Sequence, residues 1–292
     1  MKPTVLTHDT DFHVDDVFAV AVLGLKLGDI NIVRSRKEED IKSADYVVDT
    51  GLVYDPRKNH FDHHQSEGAG KRDNGIPYAS FGLLWKEYGE ELAGGKREAE
   101  IIDTKLVAAI DAHDNGVETS TSKFENVRDY DINDFFYSFL THRGNTEEEL
   151  FEVFIQLVGV AKGILEREIL KAKEAVAGRD KVLKIYNESL DKRIIVLHED
   201  LSWKDVLVAA KEPMFVIRQR ADGKWGARAI PNGLHGYEVK KPFPANWSGK
   251  TDGELQTISG VADATFCHRG LFLAVAKSEE GAIALANKAL EN

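Results

Sequence analysis

Four clusters of histidine and aspartate stand between His8 and Gly116. The densest is His60-Phe61-Asp62-His63-His64. Before it lie His8, His13, Asp15 and Asp16, then Asp49 at the end of an apolar run. After it comes Asp111-Ala112-His113-Asp114-Asn115-Gly116. Imidazole nitrogens and carboxylate oxygens gathered in this way are the donors that a site for two divalent metals requires, and such a site points to a hydrolase.

Each cluster also has a plainer reading. Asp15 or Asp16 would open a helix and gain from its dipole. Asp49 would sit in a turn before Gly51. Asn115-Gly116 would close a helix in a left-handed turn. None of these roles excludes metal binding. His13 and Asp15, two residues apart, could face different metals, and the two oxygens of Asp49 could bridge them. Asp62 could orient a ligand histidine through its second ring nitrogen, or ligate directly. Asp111 and Asp114 share a helix face at i and i+3, and either could be the ligand. Two acids at a helix C-terminus conflict with its dipole, a conflict that a bound cation removes. With no cysteine in any cluster, two Mn²⁺ ions are expected, with Mg²⁺ or Co²⁺ as alternatives, rather than structural zinc. Such a pair, about 3.5–4 Å apart, can clamp a phosphoryl group and generate a hydroxide nucleophile.

The elements that must hold these residues read as an alternation. Thr4 to Thr7 predicts a strand ending at His8, Asp16 to Leu27 a helix, and Ile30 to Val33 a second strand. Glu38 to Ala44 predicts a short helix, and Tyr46 to Val48 a third strand ending at Asp49. This rhythm implies a mostly parallel sheet, whose ligands sit beyond the carboxyl ends of the strands. Gln65 to Pro77 reads as a mobile loop. Tyr78 to Leu92 and Ile101 to Ala112 read as helices, and Glu147 to Ser189 as one or two more with Gly178 as a break. Strands are then expected at Ile194 to Leu197, Met214 to Arg220, Trp225 to Ile230, Thr265 to Cys267 and Leu271 to Ala274. Helices are expected at Trp203 to Ala210 and Glu279 to Leu290. The fold class is α/β: a mostly parallel sheet flanked by helices in a catalytic domain (1–125), a long helical connection (126–190) and a smaller C-terminal α/β domain (191–292).

Composition narrows the partners. A length of 292 residues is long for one core and suggests two domains. The net charge of -11 argues against a broad basic surface that coats long nucleic acids. It leaves room for a short phosphate-bearing substrate held by metals and a few local cations. The single cysteine, Cys267, fits a reducing cytoplasm. Met1 to Leu6 carries no long apolar run, so no secretory signal is expected, and Val17 to Leu27 is too short to span a bilayer. A membrane partner is therefore not expected; a homo-oligomer is left open.

At these residues the sequence resembles the DHH phosphoesterase superfamily, named for the triplet present here as Asp62-His63-His64. It is more closely similar to the melanocyte-proliferating-gene family, often labelled a metal-dependent protein hydrolase. The resembling segments are Thr7-His8, Phe12-His13-Val14-Asp15-Asp16, Val47-Val48-Asp49-Thr50-Gly51, Tyr54-Asp55-Pro56-Arg57, Phe61-Asp62-His63-His64-Gln65 and Ile110 to Gly116. Later ones are Trp247-Ser248-Gly249, Glu254-Leu255, Ser259-Gly260, Phe266-Cys267-His268 and Glu280-Gly281-Ala282. The likeness spans nearly the whole chain. The wider superfamily usually has an acid where His13 stands, and the closer family usually has Cys-Asp-Glu in place of Val14-Asp15-Asp16.

The resemblance implies one metal on His8, His13 and Asp49 and another on Asp15, Asp49, His63 and Asp114, with Asp49 bridging. It leaves Asp111 as an alternative ligand or an outer partner. Asp62 would orient, and His64 would face the substrate phosphate. His268, Arg269 and Arg218 in the C-terminal domain would grip substrate, and Lys71 and Arg72 could fold over it. The implied activity is a phosphoesterase, an exonuclease on short or single-stranded RNA or DNA using metal-bound hydroxide. The alternatives are a small-molecule phosphatase or pyrophosphatase, a cyclic-dinucleotide phosphodiesterase, a protein hydrolase, and a non-catalytic metal-dependent regulatory protein.

Overall fold

The computed structural model describes residues 2–140, 146–234 and 236–292; residues 141–145, within the expected helical connection, and His235, within the expected C-terminal domain, lie outside them. The chain divides into two compact units, Met1–Lys173 and Glu174–Asn292.

The first unit holds β1 (Thr4–Thr7), α1 (Val14–Leu27), β2 (Asn31–Arg34), α2 (Glu38–Ser43), β3 (Tyr46–Val48), β4 (Tyr54–Asp55) and β5 (His60–Phe61). After these come α3 (Ser80–Ala93), α4 (Lys96–Ile102), α5 (Ala108–Asp114), α6 (Ile132–Tyr137) and the start of α7 (Glu147–Glu188). Its sheet has the order β2-β1-β3-β5-β4. All neighbours are parallel except β4 with β5. The mostly parallel α/β sheet expected from the alternation is therefore present.

Two short strands were not anticipated: β4, antiparallel to β5 at the sheet edge, and β5 itself. His60 and Phe61 pair with Val47 and Val48 as β5, in parallel with β3. Two residues carry too little alternation to register as a strand. Yet this pairing places Asp62-His63-His64 beyond a third carboxyl end, beside those of β1 and β3.

The α1 helix explains its own depth. Eleven consecutive residues, Val14 to Gly24, are buried, because the helix is apolar almost all round and carries its polar load at its start. It packs on β1, β3 and α3. Phe12, Phe18, Phe61, Phe81 and Phe136 are all buried in the same cluster. The expected helix from Ile101 is α4, a π segment (Asp103–Val107) and α5 in succession. The α7 helix runs 42 residues and passes through Gly178 unbroken.

The second unit begins within α7. It holds β6 (Ile194–Leu197), α8 (Lys204–Ala209), β7 (Phe215–Gln219), β8 (Trp225–Ala229), α9 (Asp252–Ser259), β9 (Ala264–Cys267), β10 (Leu273–Ala276) and α10 (Glu279–Glu291). Its sheet runs β6-β7-β8-β10-β9, parallel only between β6 and β7. Among the described residues no helix is long and apolar enough to cross a membrane.

Candidate metal centre

Three parallel strands end side by side, and each delivers part of the cluster: β1 gives His8, β3 gives Asp49, and β5 gives Asp62, His63 and His64. The chain then needs a loop to bring His13 and Asp15 back to the same edge. Arg34 on β2 braces that loop, donating from Nε to the His8 carbonyl at 3.1 Å and from Nη2 to the Thr10 carbonyl at 2.7 Å. His13 is the N-cap of α1, and Asp16 Oδ1 accepts its backbone N–H at 3.1 Å. The helix-start role of Asp16 and its place in the cluster are thus compatible.

Asp49 lies at the centre. Its backbone is left-handed, with φ of 53°, a region that aspartate tolerates better than most residues. That twist aims the carboxylate across the strand ends. Oδ2 lies 3.3 Å from His8 Nε2, and Oδ1 lies 3.3 Å from His63 Nε2. His63 Nε2 is also 3.1 Å from Asp114 Oδ2. His8 Nε2 is 3.2 Å from Asp16 Oδ2. His8 Nδ1 donates to the Asp9 carbonyl at 2.8 Å, which orients the ring so that Nε2 faces Asp16 and Asp49.

Among the described residues, donor atoms within 4.8 Å of one another form three sets: His8, His13 and Asp49; Asp15, His63 and Asp114; and Asp49, His63 and His64. His8 Nε2, His63 Nε2, Asp16 Oδ2 and Asp49 Oδ2 are buried with no well-formed hydrogen bond. Leaving a buried polar atom in that state costs about 1–3 kcal/mol. Oxygen and imidazole donors aimed inward without partners fit divalent cations.

The charges agree. Burial drives the Asp15 carboxyl well above the usual range, and Asp114, Asp49 and Asp111 reinforce it. Burial pushes Asp16 up to about 7 against the pull of His8. Burial acts upward on Asp49 too, but His63 and His8 outweigh it and hold that carboxyl well below its ordinary value. His63 is pushed up to about 11, burial being overcome by Asp114 and Asp49. Buried carboxylates this close together repel one another, and dications relieve that repulsion.

His64 is placed differently. Its Nδ1 donates to Asp62 Oδ1 at 2.8 Å, and its backbone N–H reaches the same oxygen at 3.1 Å. Asp62 Oδ2 accepts the Leu52 N–H at 2.6 Å. Asp62 therefore engages the half-exposed His64 ring rather than His63. The bond to Asp62 raises the His64 pKa. A cleft of about 400 Å³ opens beside these rings, lined by His13, His63, His64, His113, Asp114, Asn115 and Tyr137. Nothing in the sequence singled out Tyr137 as part of this wall.

Asp111 joins none of the three donor sets found among the described residues. It is fully buried and accepts the Gly82 N–H at 3.0 Å. It also pairs with Arg72 Nη1 at 2.7 Å. Burial pushes its carboxyl up to about 7 against the pull of Arg72. This corrects the expectation for Arg72: it does not reach over a substrate, but is buried, with Nε and Nη2 on Asp103 at 2.9 and 2.7 Å. Lys71, its neighbour, is exposed.

The remaining expected residues belong to the second unit. Arg218 on β7 pairs with Asp200 at 2.8 Å. His268 follows β9; its Nδ1 accepts the Gly270 N–H at 2.9 Å, and its ring centroid lies 4.2 Å from that of Phe272. The Arg269 carbonyl accepts the Ser248 hydroxyl at 3.0 Å.

Comparison with known proteins adds the following. The model of the family described as "Uncharacterised protein family (UPF0160)", MYG1_exonuc, matches residues 4–290. The "MYG1 protein" of Dictyostelium discoideum is 29% identical, over 98% of this chain and 96% of its own. That of Chlamydia pneumoniae is 31% identical over 94% and 92%. The "MYG1 exonuclease" of Homo sapiens is 26% identical over 99% and 86%. Among solved structures, a pGpG-specific phosphodiesterase, PggH, covers 99% of both chains at 12% identity with a TM-score of 0.35, too low to bear on fold or chemistry.

Proposed function

The chain belongs to the MYG1 family, and on that footing we propose that it is a metal-dependent phosphoesterase acting as an exonuclease on short or single-stranded nucleic acid. The human relative carries the name exonuclease. The observation that carries the reading is Asp49: one carboxylate, held left-handed at a strand end, with one oxygen toward His8 and the other toward His63.

His8, His13 and Asp49 would hold one divalent cation, and Asp15, Asp49, His63 and Asp114 the other, with Mn²⁺ preferred. Such a pair, when bound, activates water and neutralises phosphoryl oxygens. The protein's own groups do the rest. Asp62 fixes the His64 ring through Nδ1, so that Nε2 can donate to a phosphoryl oxygen or to the leaving oxygen. His113, Asn115 and Tyr137 complete a cleft within the size range of small-ligand sites, about 300–1,000 Å³, which suits the terminal unit of a chain.

The test is a panel of short RNA, short single-stranded DNA, cyclic dinucleotide, pyrophosphate and peptide, each with Mn²⁺ and with chelator. Release of mononucleotides from an end, abolished by chelator, is the expected result. Cleavage of pyrophosphate alone would transfer the same site to a small-molecule phosphatase. Cleavage of peptide alone would overturn the reading.

A further inference from the structure

The first turn of α3 contributes nothing to the donor sets, yet it touches three carboxylates. A helix leaves its first amides without partners, and a side chain at the N-cap normally takes one or two. The N-cap here is Ala79, which has none to offer. Instead, Ser80 N–H donates to Asp15 Oδ2 at 3.0 Å and Phe81 N–H to Asp15 Oδ1 at 2.8 Å. The next amide, of Gly82, goes to Asp111. Carboxylates from α1 and α5 thus cap α3, and in return α3 fixes them.

The Ser80 side chain adds the third contact. It is fully buried, and its hydroxyl donates to Asp49 Oδ1 at 3.0 Å. A carboxylate rotates over a broad torsional well, so its oxygens need an outside partner to hold a fixed direction. Ser80 supplies one to the oxygen that faces His63. The same residue, through its amide, holds Asp15, whose set also includes His63.

We propose that Ser80 is a positioning residue of the dinuclear centre: it fixes the rotation of Asp49, and chiefly supports the cation held by Asp15, His63 and Asp114. This rests on the two-cation reading given above. Removing an outer hydrogen bond of this kind typically weakens metal binding about 10–100-fold.

The test is Mn²⁺ titration of wild type, Ser80→Ala, Ser80→Cys and Ser80→Thr, followed by calorimetry and by low-temperature EPR, with the ion-free melting temperature of each. Wild type is expected to take two equivalents and give a spin-coupled signal. Ser80→Ala and Ser80→Cys should remain folded without ions, bind one equivalent normally and the other about 10–100-fold more weakly, and lose the coupled signal at stoichiometric loading. Ser80→Thr, which keeps the hydroxyl, should restore it. If wild type binds two ions and Ser80→Ala matches it in both affinities and in coupling, the role of Ser80 is overturned and the dinuclear reading stands. Equal weakening of both ions in proportion to a lowered ion-free melting temperature would mark a merely structural residue and also overturn it. Wild type binding fewer than two ions overturns both.

Discussion

Asp49 joins an unusual backbone to a central side chain. A left-handed aspartate after a strand costs conformational energy, and it persists where its surroundings over-determine it. Its partners were visible in the sequence as residue types, but the split of its two oxygens between His8 and His63 arises only from tertiary packing. Asp49→Asn keeps the shape and tolerates the same backbone. It should fold normally, fail to retain either cation in equilibrium dialysis, and lose more than about 100-fold in activity, beyond the 10–100-fold typical of outer partners. His64→Ala should separate substrate contact from metal binding. We expect kcat to fall by about 10²–10⁴ while two equivalents of Mn²⁺ remain bound; loss of one equivalent would make His64 a ligand, as its proximity to Asp49 and His63 also allows.

Elements set these residues by their ends. The carboxyl edges of β1 and β3 were legible because Thr4 to Thr7 and Tyr46 to Val48 are short runs of β-branched, aliphatic and aromatic residues closed by His8 and Asp49. The edge of β5 was not, since a two-residue strand is defined by its partner rather than by its own pattern. The buried role of Arg72 was hidden for a related reason: beside Lys71 in a Gly-rich segment it reads as a loop cation free to fold over a substrate, and its partners Asp103 and Asp111 lie 31 and 39 residues away. Gly82 was equally silent. A Cβ there would lie 1.8 Å from Asp111 Oδ2 and 3.0 Å from Arg72 Nη2. Gly82→Ala should therefore break this buried pair and cost about 3–5 kcal/mol in denaturant unfolding. A loss under about 1 kcal/mol would mean that α3 and α5 separate more easily than their contact implies. Arg72→Leu should cost a similar about 3–5 kcal/mol, with part recovered when Asp111→Asn removes the stranded charge.

At the scale of the molecule, a chain with a net charge of -11 buries a knot of its acids together. Ion-free, this cluster works against folding at neutral pH. The sign follows from Asp16, whose carboxyl rises from 3.8 to about 7 on folding. The folded state holds its proton longer than the unfolded state, so stability from this group is present at low pH and is lost as pH rises from 3.8 to 7. Asp15 shifts in the same direction. Bound cations would reverse this by replacing the protons. Chelator should lower the melting temperature at pH 7, by the equivalent of about 2.7 kcal/mol for each Mn²⁺ that had been held at 100 times its Kd. The drop should shrink as pH falls toward 4, and a drop independent of pH would contradict the buried-acid account.

The central claim is that two cations sit on either side of Asp49, and anomalous diffraction at the manganese edge tests it most directly. Crystals grown with Mn²⁺ are predicted to give two peaks about 3.5–4 Å apart, one beside His8 and His13 and one beside Asp15, His63 and Asp114. A single peak, or two peaks that leave Asp49 out of contact, would contradict it.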